Sequence, residues 1–176
     1  MLDIINNKSA MKVVFYLILH PSKELSQKDL IDGAGLSKAT MAKNIPFLKK
    51  KEIVSVKKIG VTNLVRLNNE NVLVKEIKRI KIISELGDLG KLKDKNLELY
   101  LYGSCARGEY VEESDVDLLI IGCINREDII NIVQGISKKI RRNISFKIFS
   151  SMEWARLSKK DPAFYERVEK DKIRLV

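Results

Sequence analysis

The chain has 176 residues, a mass of 20.1 kDa and a formal net charge of +10, with 45% apolar and 32% charged residues. That balance is globular and excludes global disorder, and the longer apolar runs, residues 13–19 and 116–121, fall far short of a membrane span. Cys105 and Cys123 give neither a disulfide framework nor a metal-ligand spacing. No basic segment and apolar core follow Met1, so the expected setting is cytoplasmic and reducing.

In chain order, residues 9–20 read as a helix with Met11, Phe15, Ile18 and Leu19 on one face, stopped by Pro21. Residues 25–33 read as a second short helix, capped by Ser26 with Asp29 in a capping-box place. A tight turn through Ala34, Gly35 and Leu36 leads to Ser37, the cap of a third helix reaching about Lys51, with Met41, Ile45 and Leu48 inward. Pro46 lies inside that helix and either bends or shortens it. Residues 53–56 and 62–67 are strands around a turn at Gly60. Residues 70–86 return to helical spacing, with Leu73, Ile77, Ile80 and Ile83 on one face, and Gly87 and Gly90 end them. Strands follow at 97–102 and 116–121. Asn125 opens a helix carrying Ile129, Val133, Ile136 and Ile140; residues 144–149 form a strand, and two short helices finish the chain, the last entered through Pro162.

The basic excess is uneven. Residues 1–70 hold 12 basic and 6 acidic side chains, whereas residues 96–176 hold 14 and 13. A polyanion therefore suits the front of the chain better than the back. With Met41, Ile45 and Leu48 inward, Lys38, Thr40, Lys43 and Asn44 fall on exposed faces of the third helix. Lysine binds phosphate as a point charge, and Thr and Asn reach base edges. Lys57 and Lys58, near the hairpin tip, are placed to meet the DNA backbone. The segment "LSQKDLIDGAGLSKATMAKNIPFLKKKEIV" resembles the winged helix-turn-helix of bacterial and archaeal regulators. That resemblance implies a double-stranded DNA partner; the alternative is a winged helix used for protein contact.

The segment "LYLYGSCARGEYVEESDVDLLIIG" holds the chemistry. An apolar strand ends at Gly103-Ser104, and Asp115-Val116-Asp117 opens another. Strand alternation projects Asp115 and Asp117 from one face, and two carboxylates so placed suit Mg²⁺ completed by phosphate oxygens. Gly103 lets backbone approach a phosphate, and Ser104 can hydrogen-bond it. The segment resembles the nucleotidyltransferase superfamily that includes DNA polymerase beta, closest to its minimal stand-alone members, on Gly103, Ser104, Ala106, Arg107, Gly108, Ser114, Asp115, Asp117 and Leu118. The resemblance implies a small mixed sheet, an NTP–Mg²⁺ site with Asp115 and Asp117 as metal-binding catalytic carboxylates, and nucleotide contacts from Gly103, Ser104 and Arg107. It also implies a third acid on a later strand. The matching strand, "NISFKIFS", has none, and Ser145 stands in that place; Glu98 and Glu153 are substitutes out of register. Arg107 has an alternative partner in Glu109 or Glu112.

The fold expected is α+β: a winged helix over 1–69, a connecting helix and linker over 70–95, and an α/β nucleotidyltransferase-like domain over 96–176. The function expected is a DNA-binding protein whose back domain binds NTP–Mg²⁺ and transfers a nucleoside monophosphate to a protein or small-molecule hydroxyl. The alternative is a transcriptional regulator or antitoxin, paired with a toxin, whose back domain is a non-catalytic sensor or interaction module. A homodimer is one option for assembly; a membrane is not a partner.

Overall fold

The computed structural model describes residues 2–92 and 96–176. Residues 93–95, the end of the expected linker, lie outside the described residues. The chain divides into two compact units, Met1–Lys75 and Glu76–Val176.

The front unit comprises α1 (Leu2–Asn6), α2 (Lys8–Ile18), β1 (Leu25–Ser26), α3 (Gln27–Ala34), α4 (Lys38–Lys50), β2 (Val54–Ile59) and β3 (Thr62–Leu67). The strands form an antiparallel sheet in the order β1-β3-β2. Local chemistry explains the helix starts. Asn7 accepts from the Ala10 amide, Ser26 and Asp29 close a reciprocal capping box, and Ser37 accepts from the Thr40 amide. Gly35, at φ +60°, supplies the left-handed residue that ends α3. Met41, Ile45 and Leu48 are buried as expected.

The face of α2 differs from expectation. Ala10, Val13, Val14, Leu17 and Ile18 form its core stripe, while Phe15 and Leu19 are exposed. The buried stripe uses small residues that apolar spacing alone undervalues. Helix α4 continues through Pro46. Proline has no amide for the carbonyl four residues back, but Ala42 and Pro46 are both exposed, so water can serve that carbonyl.

The back unit takes in most of α5 (Val72–Glu85), since the division falls within that helix. A 3₁₀ turn (Gly87–Leu92) follows, then β4 (Leu97–Tyr102), α6 (Gly103–Arg107), β5 (Val116–Gly122), α7 (Arg126–Ile140), β6 (Ile144–Phe149), α8 (Ser151–Lys160), α9 (Pro162–Asp171) and β7 (Ile173–Arg174). The sheet is mixed, in the order β6-β5-β4-β7. Strands β5 and β6 are parallel and joined through α7, and the other pairs are antiparallel. One face packs Tyr100, Tyr102, Leu119 and Ile121 against Trp154 of α8 and Phe164 and Val168 of α9. Trp154 and Phe164 are thus core residues, and Tyr165 packs partly buried against them.

On α5 the buried stripe is Val74, Ile77, Lys78 and Ile82, and Ile80 is exposed, which corrects the expected face. The cause is a buried lysine. The Lys78 ammonium donates to the Tyr110 carbonyl at 2.6 Å and lies 4.7 Å from the Tyr110 ring centroid. Burial, reinforced by the Arg142 charge, pulls its pKa down to about 8.

Two predictions follow from this packing. A Cβ on Gly33 of α3 would sit 2.0 Å from the Tyr16 ring of α2. Gly33→Ala should therefore push aside the half-buried Tyr16 ring, which stacks edge-on with His20, and so cancel the ~1 kcal/mol that alanine's better helix propensity would otherwise add. Chemical denaturation checks it, and a gain in stability would refute the close approach. For Lys78, the unfolded chain holds more protons between pH 8 and the ordinary lysine pKa, so its contribution to stability rises with pH across that window. The rise should vanish in Lys78→Met, read from denaturation midpoints at successive pH values.

Candidate active site

Strands β4, β5 and β6 set the site by register. Tyr102, the last residue of β4, pairs with Asp117 on β5, and Asp117 pairs with Ser145 on β6. The backbone leaves β4 at Gly103 with φ +73°, a left-handed conformation costly for any residue with a Cβ. A Cβ built there would lie 2.7 Å from Asp117 Oδ2. The carboxylate of Asp117 therefore occupies the space that a side chain on residue 103 would need. Asp117 is half-buried, whereas Asp115, directly ahead of β5, is exposed. Tyr102 feels the arrangement: burial raises its phenol pKa, and the Asp117 charge raises it further.

Ser104 and Cys105 follow Gly103 in α6. Ser104 is half-buried, and its carbonyl accepts from the Glu109 amide. Cys105 is fully buried, and its thiol donates to the Asp115 carbonyl at 3.4 Å. Burial pushes that thiol up to about 11, so it stays protonated. Arg107 is engaged by two carboxylates, through Nε to Glu109 at 2.7 Å and through Nη1 to Asp171 at 2.8 Å. Glu109 was one of its alternative partners; Asp171, 64 residues away, gives no sequence signal.

Ser145 stands where the resemblance placed a third acid, and its hydroxyl donates to Asp117 Oδ1 at 2.8 Å. The two out-of-register acids are occupied elsewhere. Glu98 accepts from the Tyr100 hydroxyl, and Glu153 closes the capping box of α8. Among the described residues, no group of three His, Cys, Asp or Glu side chains is placed to hold a metal ion. Cys123, which follows β5, is exposed.

In the front unit, Lys38, Lys43, Lys57 and Lys58 are exposed. Asn44 corrects the expectation that it reaches base edges. Only 3% of its surface is exposed. Its amide nitrogen donates to Ser9 Oγ and the Thr40 carbonyl, and its Oδ1 accepts from Asn7. It fastens α4 to the start of α2, because a buried amide must find partners. The Thr40 hydroxyl lies 2.9 Å from Ser37 Oγ at the helix cap.

Residues 77–174 match the family model described as "Nucleotidyltransferase domain". The chain belongs to that family. A Methanocaldococcus jannaschii protein, whose name proposes it as a protein adenylyltransferase, is 40% identical over 42 residues, 24% of this chain and 42% of that protein. The chain thus spans about two fifths of that relative's length. A crystal structure of a Sulfolobus solfataricus protein described as a nucleotidyltransferase shares 23% identity, covering 57% of this chain and 85% of its own, with a TM-score of 0.33. No helix among the described residues is long and apolar enough to cross a membrane.

The Ser145–Asp117 contact yields a test. Ser145→Asp sets two carboxylates face to face, which costs stability unless a cation lies between them. The variant should melt below the parent in EDTA and recover with Mg²⁺, while the parent changes little. A melting temperature insensitive to Mg²⁺ would show that residue 145 does not face the carboxylate pair.

Proposed function

We propose that the back unit binds a nucleoside triphosphate with Mg²⁺ at Gly103, Ser104, Asp115 and Asp117, and transfers the nucleoside monophosphate to a hydroxyl on a protein. The observation that carries this reading is the Gly103–Asp117 juxtaposition. A residue without a Cβ, in a left-handed turn, lets the backbone at the start of α6 pack directly against a carboxylate, which puts backbone amides, the Ser104 hydroxyl and an acid side by side, the groups a phosphate chain and its cation need. The donors available are hard oxygens, the kind Mg²⁺ prefers, and two carboxylates plus phosphate oxygens suffice for it. When bound, the ion would neutralise charge on the triphosphate. Asp115 and Asp117 hold it, Gly103 admits the phosphate, and Ser104 donates to it. Arg107, already shared by Glu109 and Asp171, acts on this reading as a brace between α6 and the end of α9. The protein acceptor is suggested by the name of the M. jannaschii relative.

For the front unit we propose a winged helix that binds double-stranded DNA through Lys38 and Lys43 on α4 and Lys57 and Lys58 on β2. Helices α2, α3 and α4 followed by the β2–β3 hairpin, with two exposed lysines on α4 and two on β2, support it, and with Asn44 buried the attraction is to phosphate.

A second reading, a nucleotide sensor or toxin-masking antitoxin without turnover, is favoured by Ser145. A serine neither takes a proton well at neutral pH nor adds charge for a second metal, and general-base help is typically worth about 10²–10⁴-fold.

Calorimetry with ATP and the other NTPs tests the common ground. Binding should require Mg²⁺ and be lost in Asp115→Ala; equal Mg²⁺-dependent affinity in the variant would refute the site. Label transfer from an α-labelled NTP to protein then separates transferase from sensor. For the front unit, Lys38→Ala with Lys43→Ala should weaken duplex binding and flatten its salt dependence; unchanged binding would remove α4 from the interface.

A further inference from the structure

The loop from Gly108 to Asp115 joins the two halves of the site and has no helix or strand of its own. Its backbone is held instead by side chains from distant parts of the chain. Arg142, just past α7, points Nη1 at the carbonyls of Val111, Glu112 and Ser114, at 2.7, 3.3 and 3.0 Å. Its guanidinium carbon lies 4.7 Å from the Tyr110 ring centroid, and Lys78 meets the same ring and the Tyr110 carbonyl. Just ahead of the loop, in α6, Arg79 Nε donates to the Ala106 carbonyl at 2.7 Å. The bonds converge on Asp115. Arg142 holds the carbonyl before it, the Cys105 thiol meets its own carbonyl, and the amide after it donates to the Asn143 carbonyl at 2.9 Å.

We propose that Arg142 and Cys105 are positioning residues for the metal-binding carboxylate of Asp115, fixing its backbone from both sides so that it stands with Asp117 toward Gly103. This rests on the nucleotide reading of the site. Asp115 is exposed and outside the strand, so the sheet ladder alone does not aim it; Asp117, inside the ladder, needs no such help. Groups that orient a metal ligand from behind typically change metal affinity about 10–100-fold when removed.

The test uses the full chain with three variants, Arg142→Met, Cys105→Ala and, as a control at the same end of α7, Lys139→Ala. Two quantities are read: hydrogen exchange at the Val111, Ser114 and Val116 amides without nucleotide, and the Mg²⁺ concentration giving half-saturation of ATP binding. Arg142→Met should speed exchange at those amides and raise the Mg²⁺ requirement about tenfold, while Lys139→Ala changes neither. Cys105→Ala removes one weak bond and should move both quantities the same way by a few-fold, which decides the matter should Arg142→Met not fold. Faster exchange with an unchanged Mg²⁺ requirement would reduce these residues to loop packing and overturn the proposal. So would unchanged exchange. If the parent chain itself shows no Mg²⁺-dependent ATP binding, the nucleotide reading fails, and the exchange data still report whether Arg142 holds the loop.

Discussion

The site depends on one exclusion: the Asp117 carboxylate stands where residue 103 would carry a side chain. For that to hold, β4 and β5 must pair with Tyr102 opposite Asp117 and no other residue. The pairing is enforced from both faces of the sheet. Val116, Leu118 and Ile120 are buried on one side, and Leu119 and Ile121 are buried against the aromatic cluster on the other. A slip of one residue would turn Asp117 to the opposite face and misalign every apolar contact of β5. The apolar core and the chemical site are therefore one constraint, since the residues that bury the strand also aim its acid.

The parts legible in the sequence are those governed by local rules. Ser26 with Asp29, Ser37, Gly35 and Pro162 mark helix ends because caps and fixed dihedrals act over three or four residues. The Gly-Ser and Asp-Val-Asp spacing is legible because strand alternation is local too, and Ser145 could be placed because β5, α7 and β6 follow in order. The illegible parts are polar groups whose burial is licensed by remote partners. Asn44 looks like a reader of bases until Ser9 and Asn7 take its amide. Lys78 looks like the solvated side of α5 until Tyr110, 32 residues on, supplies a carbonyl and a ring. Apolar periodicity therefore misplaced the faces of α2 and α5, since hydropathy counts neither a buried lysine nor a close-packed alanine.

The arginines make the same point in electrostatic terms. Arg107 follows Gly103-Ser104 in the segment that carries the family resemblance and invites a phosphate role, yet Glu109 and Asp171 share its charge. Arg142 sits outside every motif, at the basic end of α7 where a positive residue already suits the helix dipole. Its bonds go to neutral carbonyls, which orient a cation without cancelling its charge. The cation beside the motif is thus neutralised locally, and one from another element organises the loop.

Ser145 decides how the Asp117 carboxylate is held. Its hydroxyl donates to Asp117 Oδ1, leaving Oδ2 as the oxygen turned toward Gly103. A donor in that place fixes the carboxylate's rotation. An acid there would instead add a second negative group and call for a second cation. The serine therefore orients Asp117 and adds no second carboxylate beside it. On the proposed nucleotide reading, that single side chain is what separates binding from transfer.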